Sequence, residues 1–518
     1  MRRERVRAQL AAVCLALVTL AAPAARAQTN YRLATVGGRT TLVGGTGVVY
    51  GHDSASTFLN PATAQLVDKN RLAFSVQAYQ FSYMTAGSWY QPGPVDTKAF
   101  GDVKREGGTA VKNIGLDSLP GSLCIFFGAH DIPFLLSKTL KQSLREKGAR
   151  LGICLATVSY SNDSFNEESY EQQTPQGTSR QAINIRQTFR RLSFGPTYSM
   201  YVTNALSIGA SLHLTRADHR SLFGATSTTY GGDSGPINNS YYSFARGFSH
   251  DMTATIGATY RIGAHQTVGL VLESPSLHLF GSGGINESTQ FTGPAASSRG
   301  FTASGSFVAR TPARLALGTG LQRDWGSVEL NTSLFPATAS IYTASFDGHA
   351  ITNATNGSTT DQATRNKFST KALGSVNIGV GGEYFTSPRV SVLGGASFDK
   401  TIAPKGSLQS DPLHFFSSRT NRAAISFGYG SHGEGGDLLL GGELSYAWGE
   451  RLAPNLYQLP ARLDVTSQQT FGFLIVLAGS TSFRNIRRVA DDVKKMMTPT
   501  QPEQPTRSPA NPTPVPQK

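Results

Sequence analysis

Beyond residue 22 the 518-residue chain contains no apolar run approaching the ~20 residues that a helix needs to cross a bilayer, so helical spans are excluded from its bulk. Material for cores is also short. Hydrophobic residues make up 39% of a chain long enough for two or more soluble domains, while glycine alone numbers 55. Cysteine is scarce, with three residues, and Cys14 lies within the leader. Cys124 and Cys154 stand in no metal-ligand spacing, and neither do the ten histidines, so no metal site and no cofactor is implied. The two cysteines can bridge if their strands run side by side with Cα atoms within roughly 7 Å; otherwise they read as small apolar strand positions. Acid is outnumbered, with 33 Asp and Glu against 47 Lys and Arg. The excess is scattered rather than gathered on one element, which argues against nucleic acid and fits a neighbourhood of anionic lipid headgroups.

What is present begins with a leader. Arg2, Arg3, Arg5 and Arg7 precede an apolar stretch from Leu10 to Ala22, and Ala25-Arg26-Ala27 supplies a small-x-small cleavage site. Residues 1–27 therefore read as a secretory signal peptide, removed before Gln28. Its loss lowers the formal charge from +14 to +10, since five arginines and Glu4 leave with it.

Strict alternation follows. At 205–215, Leu206, Ile208, Ala210, Leu212 and Leu214 fall on one face, with Ser207, Gly209, Ser211, His213 and Thr215 on the other. The pattern recurs at Leu72 to Ala78, Val328 to Leu334, 389–398, 423–429 and 437–448. A soluble sandwich could use such strands, but many of these segments run ten residues or more and match the ~9–11 of a tilted membrane strand. Short connections at 324–326, 386–388 and 431–436 are interleaved with long polar ones at 219–244, 346–369 and 401–418, the arrangement of short periplasmic turns and long outer loops.

The expected strands are 71–84, 119–127, 149–160, 182–197, 206–218, 245–261, 266–281, 298–323, 327–345, 370–384, 389–400, 419–431, 437–449 and 466–483. The fold class is thus all-β, a transmembrane antiparallel barrel of about fourteen strands, an even number as such barrels require. The barrel covers 71–483 and a plug precedes it at 28–70. Pro133 to Lys147 reads as a helix in one periplasmic turn, and 484–518 as a short amphipathic helix from Asn485 to Met497 followed by a Pro-rich periplasmic tail. That tail could meet a periplasmic partner; the barrel itself reads as a monomer in outer-membrane lipid.

Residues 37–62 are rich in glycine and small polar residues, which suits a compact segment held against other backbone. This Gly-rich opening, with Asp53 and then Asn60-Pro61-Ala62 just before the first strand, resembles the N-terminal hatch of the FadL-type outer-membrane transporters of long-chain fatty acids and other hydrophobic compounds. The likeness continues through Thr311-Pro312, Leu315 to Gly318, Trp325, and residues 374–429 with IGVGGEYF and LGGASFDKTIAP. It covers most of 36–449. The resemblance implies a hatch folded into the barrel, ligand binding near the outer loops, hatch movement and sideways release into the membrane, with Asp53, Asn60, Pro61 and Ala62 in the hatch. Its cargo would be hydrophobic small molecules such as fatty acids, with no catalytic residue. Arg310 and Arg314, flanking Pro312, are candidates for a ligand carboxylate if they face the lumen.

A general porin, an outer-membrane lipase or protease, and an adhesin are the alternatives. Gly232-Asp233-Ser234-Gly235-Pro236 has the look of a serine-protease nucleophile segment but lacks a matching histidine and aspartate context. Gly45-Thr46-Gly47 opens like a dinucleotide loop, yet Tyr50 stands where the third glycine belongs.

Overall fold

The computed structural model describes residues 36–67, 70–86, 111–129, 138–168, 172–174, 177–230, 236–292, 296–404, 408, 418–455 and 462–482. The leader, most of the GDSGP segment, Phe483 and the expected C-terminal helix and tail lie outside these residues.

Fourteen antiparallel strands close into one barrel. They are β1 Arg71–Ala86, β2 Val111–Gly128, β3 Arg150–Glu168, β4 Gly177–Tyr201, β5 Leu206–Tyr230 and β6 Ile237–Ile262. Next come four strands each broken once, β7 (Gln266–Glu273 and Leu277–Thr292), β8 (Ser297–Ala309 and Arg314–Arg323), β9 (Gly326–Phe335 and Thr338–Asn353) and β10 (Thr359–Ala372 and Ser375–Ser387). The last are β11 Val390–Asp399, β12 Ser418–Gly433, β13 Gly436–Asn455 and β14 Arg462–Ser482. Closure is made by β1, which pairs with β14 from Arg71↔Ser482 to Ala86↔Gln468 and with β2 on its other edge.

Polarity is inverted relative to a soluble protein. The apolar face of β5, including Ile208, Leu212 and Leu214, is exposed, whereas Ser207, Ser211, His213 and Thr215 are buried. Leu270, Leu272, Ile425, Phe427, Leu438, Leu440 and Phe471 continue the exposed apolar band around the wall. A band that faces outward while the polar face is sequestered is the signature of a lipid-facing barrel with a filled lumen. Aromatic pairs edge it, Trp325 with Tyr384 near the short turns and Tyr446 stacked on Trp448 farther out.

The breaks in β7 to β10 fall at Pro275, Pro312, Pro336 and Gly374, side by side across four neighbouring strands. Three prolines remove ladder donors there, so each strand bends and resumes. The expected long loops at 219–244 and 346–369 are instead mostly strand, because β5, β6, β9 and β10 run on beyond the lipid band. Outside the membrane neither face needs to be apolar, so the alternation that marks a strand fades while its hydrogen-bonded ladder continues. Of the helix expected over 133–147, residues Lys138–Glu146 are described and are helical.

Cys124 and Cys154 are directly opposite in the β2–β3 ladder, with Cα atoms 4.2 Å apart, and form a disulfide. That ladder holds only seven pairs, from Ser122↔Ala156 to Gly128↔Arg150. Among the described residues, no pair joins β2 before Ser122 to β3 beyond Ala156, although β2 continues along β1 and β3 along β4.

Candidate functional site

Residues 36–67 fold back into the lumen. Gly37, with φ 88°, turns the chain into α1 (Gly38–Leu42); a short helix α2 (Ser56–Leu59) and a 3-10 turn (Pro61–Leu66) follow. Asp53 fastens the two halves together. Its carboxylate accepts from Thr40 N at 3.1 Å, Thr40 Oγ1 at 3.2 Å and Ala55 N at 2.9 Å. Asn60 is fully buried; its Oδ1 accepts from Ala62 N at 3.0 Å, which starts the 3-10 turn with Pro61 in the first position. Its Nδ2 donates to Val48 O at 2.6 Å and reaches Ala258 O in β6 at 3.4 Å. Ala62 O accepts from Ser207 Oγ of β5 at 3.3 Å.

The lumen is shaped to receive this segment by removal of side chains from its wall. A Cβ on Gly209 of β5 would lie 2.5 Å from Pro61 C, one on Gly269 of β7 2.6 Å from Val48 O, and one on Gly428 of β12 2.6 Å from Leu42 Cδ1. Gly257, Gly381 and Gly395 are approached more closely still, by Asn60, Val43 and Gly44. Real Cβ atoms do not come within 3 Å of such neighbours. Gly209, Gly269, Gly381 and Gly395 therefore let backbone lie on backbone, while Gly428 and Gly257 make room for the Leu42 and Asn60 side chains.

Charge fixes the segment in place. Glu329 of β9, buried, accepts three of its amides, Gly47 N at 3.0 Å, Val49 N at 2.8 Å and Tyr50 N at 3.0 Å. Arg39 reaches outward in return, with Nε 2.7 Å from Glu383 Oε2 of β10, Nη1 donating to Tyr50 O and Nη2 to Ser327 Oγ of β9. Both side chains of this pair are nearly inaccessible, 5% and 2%, so breaking it would strand a buried charge. Arg314 of β8 pairs with Glu273 at 2.8 Å and donates to Phe58 O at 2.7 Å. Phe58 stacks on His213 with ring centres 4.5 Å apart.

Above α2 lies a cavity lined by Val36, Phe58 and Leu59 below, Arg191, His213, Glu273 and Arg314 on its walls, and Val158 and Ser159 at one side. Farther out the lumen is apolar, with Phe189, Phe301, Phe307, Ile341, Tyr342 and Phe346 packed among Ile402, Leu408 and small residues. Arg191 lies between the two regions. It is 5% exposed, donates to Arg310 O at 2.6 Å, sits 5.0 Å over the Phe189 ring, and has no carboxylate partner among the described residues.

Of the residues singled out in the sequence, Asp53, Asn60, Pro61 and Ala62 all belong to the lumenal segment. Arg314 faces the cavity but is engaged with Glu273 and Phe58; the Arg310 side chain is exposed, and only its carbonyl turns inward, toward Arg191. Arg39, Arg191, Glu329 and Glu383 were not anticipated. A signal existed for the two glutamates, each a lone acid at a lumen position between outward residues, as in Val328-Glu329-Leu330.

No protein-family model matches the chain, and no curated protein matches it in sequence. Solved structures do. A Pseudomonas aeruginosa FadL homologue is 13% identical with a TM-score of 0.52, covering 89% of this chain and 100% of its own. The Pseudomonas putida toluene transporter TodX is 14% identical with a TM-score of 0.51, covering 87% and 99%. A deletion mutant of the TodX monoaromatic hydrocarbon channel is 13% identical with a TM-score of 0.54, covering 87% and 99%. With its fourteen strands, its lumenal N-terminal segment and near-complete overlap with these channels, the chain has the FadL-type fold.

Proposed function

We propose that this protein carries hydrophobic small molecules, long-chain fatty acids among them, across the outer membrane and releases them sideways into the bilayer. The observation that carries the reading is the meeting of cavity and wall. The cavity above the hatch is bordered by Val158 and Ser159, and β3 leaves β2 just before them, after Ala156. A solute held on Phe58 and Leu59 thus lies beside the stretch of wall where, among the described residues, no ladder joins β2 to β3. The apolar lumen farther out offers the receiving surface, as a mostly apolar pocket with a few polar groups does for such ligands. A carboxylate, where the cargo has one, meets Arg191 and Arg314. Because Arg314 also holds Phe58 O, a ligand competing for it loosens the hatch, linking occupancy to passage.

Uptake of labelled oleate and labelled toluene by cells that depend on this protein tests the proposal, with Val158→Arg as the variant. A charge at the exit should cut uptake of both while leaving the barrel folded. Undiminished uptake by the variant would remove the sideways route. A large, steady single-channel current would favour a water-filled porin instead.

A further inference from the structure

Beyond the lipid-facing band, arginines enter the outward face of β4 to β6, with Leu222, Phe244 and Tyr242 lying farther out among them. On β5 the outward positions pass from Leu212 and Leu214 to Arg216, Asp218 and Arg220; on β4 they pass from Phe194 and Leu192 to Arg190 and Arg186. On β6 Arg246 follows Phe248. The ladders bring these side chains together, with Leu192 opposite Arg216, Arg190 opposite Asp218, and Arg220 opposite Arg246. Arg186 is diagonal to Arg220, being opposite Leu222.

Among the described residues, five arginines here face one acid. Asp218 is taken by Arg216 at 2.9 Å and Arg190 at 3.6 Å, and among the described residues Arg186, Arg220 and Arg246 have no ion pair. Like charges directly opposite on a sheet repel, so the Arg220/Arg246 pair costs stability unless an anion lies between them. All five cations are arginine, whose planar fork suits the two oxygens of a phosphate better than the point charge of lysine does. At ~3.3 Å per residue, Arg216 to Arg220 occupy the first ~20 Å of strand past Leu214, about 15 Å in height for a strand tilted near 40°. That is the level of headgroups, directly over surface that faces acyl chains.

We propose that this patch is a binding site for a phosphorylated lipid of the outer leaflet. Its acyl chains lie on Phe194, Leu212 and Leu214, and its phosphates on Arg220, Arg246 and Arg186. The inference rests on the outer-membrane reading and on the long strands pointing outward; it is independent of what passes through the lumen. A free phosphate would share the arginines but make no use of the apolar belt beneath them.

Native mass spectrometry of the full chain in detergent tests it, using diphosphorylated lipid A, the same glycolipid without phosphates, and excess inorganic phosphate as competitor. The wild type should retain the diphosphorylated lipid and hold the dephosphorylated one about tenfold more weakly or worse, a difference of about 1.4 kcal/mol. Arg220→Gln with Arg246→Gln should lose a similar factor, and the double lysine variant should fall between. Both variants should keep the heat-modifiable gel migration of a folded barrel and wild-type oleate uptake. Equal retention by the glutamine variant and the wild type, or displacement of the lipid by inorganic phosphate, would overturn the site. Failure of uptake in the wild type would sink the transport reading and leave lipid retention to be judged on its own.

Discussion

Replacing Glu329 by alanine should release the hatch from a barrel that stays intact. The carboxylate accepts three buried backbone amides, those of Gly47, Val49 and Tyr50, at 2.8–3.0 Å. Each donor left unpaired in a site closed to water costs about 1–3 kcal/mol, so even the low end for three is about 3 kcal/mol, roughly a hundredfold in the local opening equilibrium. Glutamine is the graded control. Its one oxygen can still take two of the amides, while its nitrogen is turned against the third, which predicts about a third of the effect. Hydrogen exchange in detergent reads the outcome residue by residue. Amides 47–50 should lose about two decades of protection in Glu329→Ala, whereas the β5–β6 ladder should be unchanged, since its bonds do not involve Glu329. Unaltered exchange at 47–50 would refute the claim that this side chain holds the segment.

Gly381→Ala, whose new Cβ would press on Val43 O, should expose residues 36–50 to protease, whereas Gly300→Ala, with open space around it, should behave as wild type; equal resistance of the two would argue against a hatch seated on bare wall. Replacing Cys124 and Cys154 by serine removes a cross-link closing 30 residues of separation, a loss of about 3–4 kcal/mol by chain entropy, and should lower the temperature at which the folded gel band disappears; an unshifted transition would count against it. Arg191→Ala should weaken oleate binding about tenfold or more and leave toluene uptake unaffected, and parallel losses for both cargoes would exclude it as the carboxylate's partner.

Much of this architecture could be read from alternation alone. Every one of the fourteen spanning strands falls on an expected segment in the expected order, because lipid imposes a strict apolar face on each. Where lipid ends, legibility ends as well, and β5 runs on to Tyr230 and β13 to Asn455, well past the expected 218 and 449. The breaks in β7 to β10 were hidden for a different reason. Pro312 and Pro336 lie inside segments whose alternation resumes after a bend, so period-two counting passes over them. The resemblance implies hatch roles for Asp53 and Asn60-Pro61-Ala62, which lie in the lumenal segment, but the partners that hold that segment are hundreds of positions away. Arg39 and Glu383 are 344 apart in the chain, and nothing local in either signals the other. Arg191 was invisible because a buried arginine with no carboxylate partner among the described residues looks, in sequence, like any other cation on a polar strand.

The glycine contacts carry an implication for assembly. Taken in chain order, the first half of the hatch visits the wall in descending sequence. Gly38 lies on Ala478 of β14, Leu42 on β12 and β13, Val43 and Gly44 on β10 and β11, and Val48 on β7 and β8. The second half, from Thr57 to Ala62, meets β3, β5 and β6. These contacts leave no clearance for a later arrival, so the strands are expected to be laid about a hatch already in place, with the seam between β1 and β14 shutting over its first turn. A hatch peptide supplied after the barrel has closed should accordingly fail to restore a chain that lacks its own.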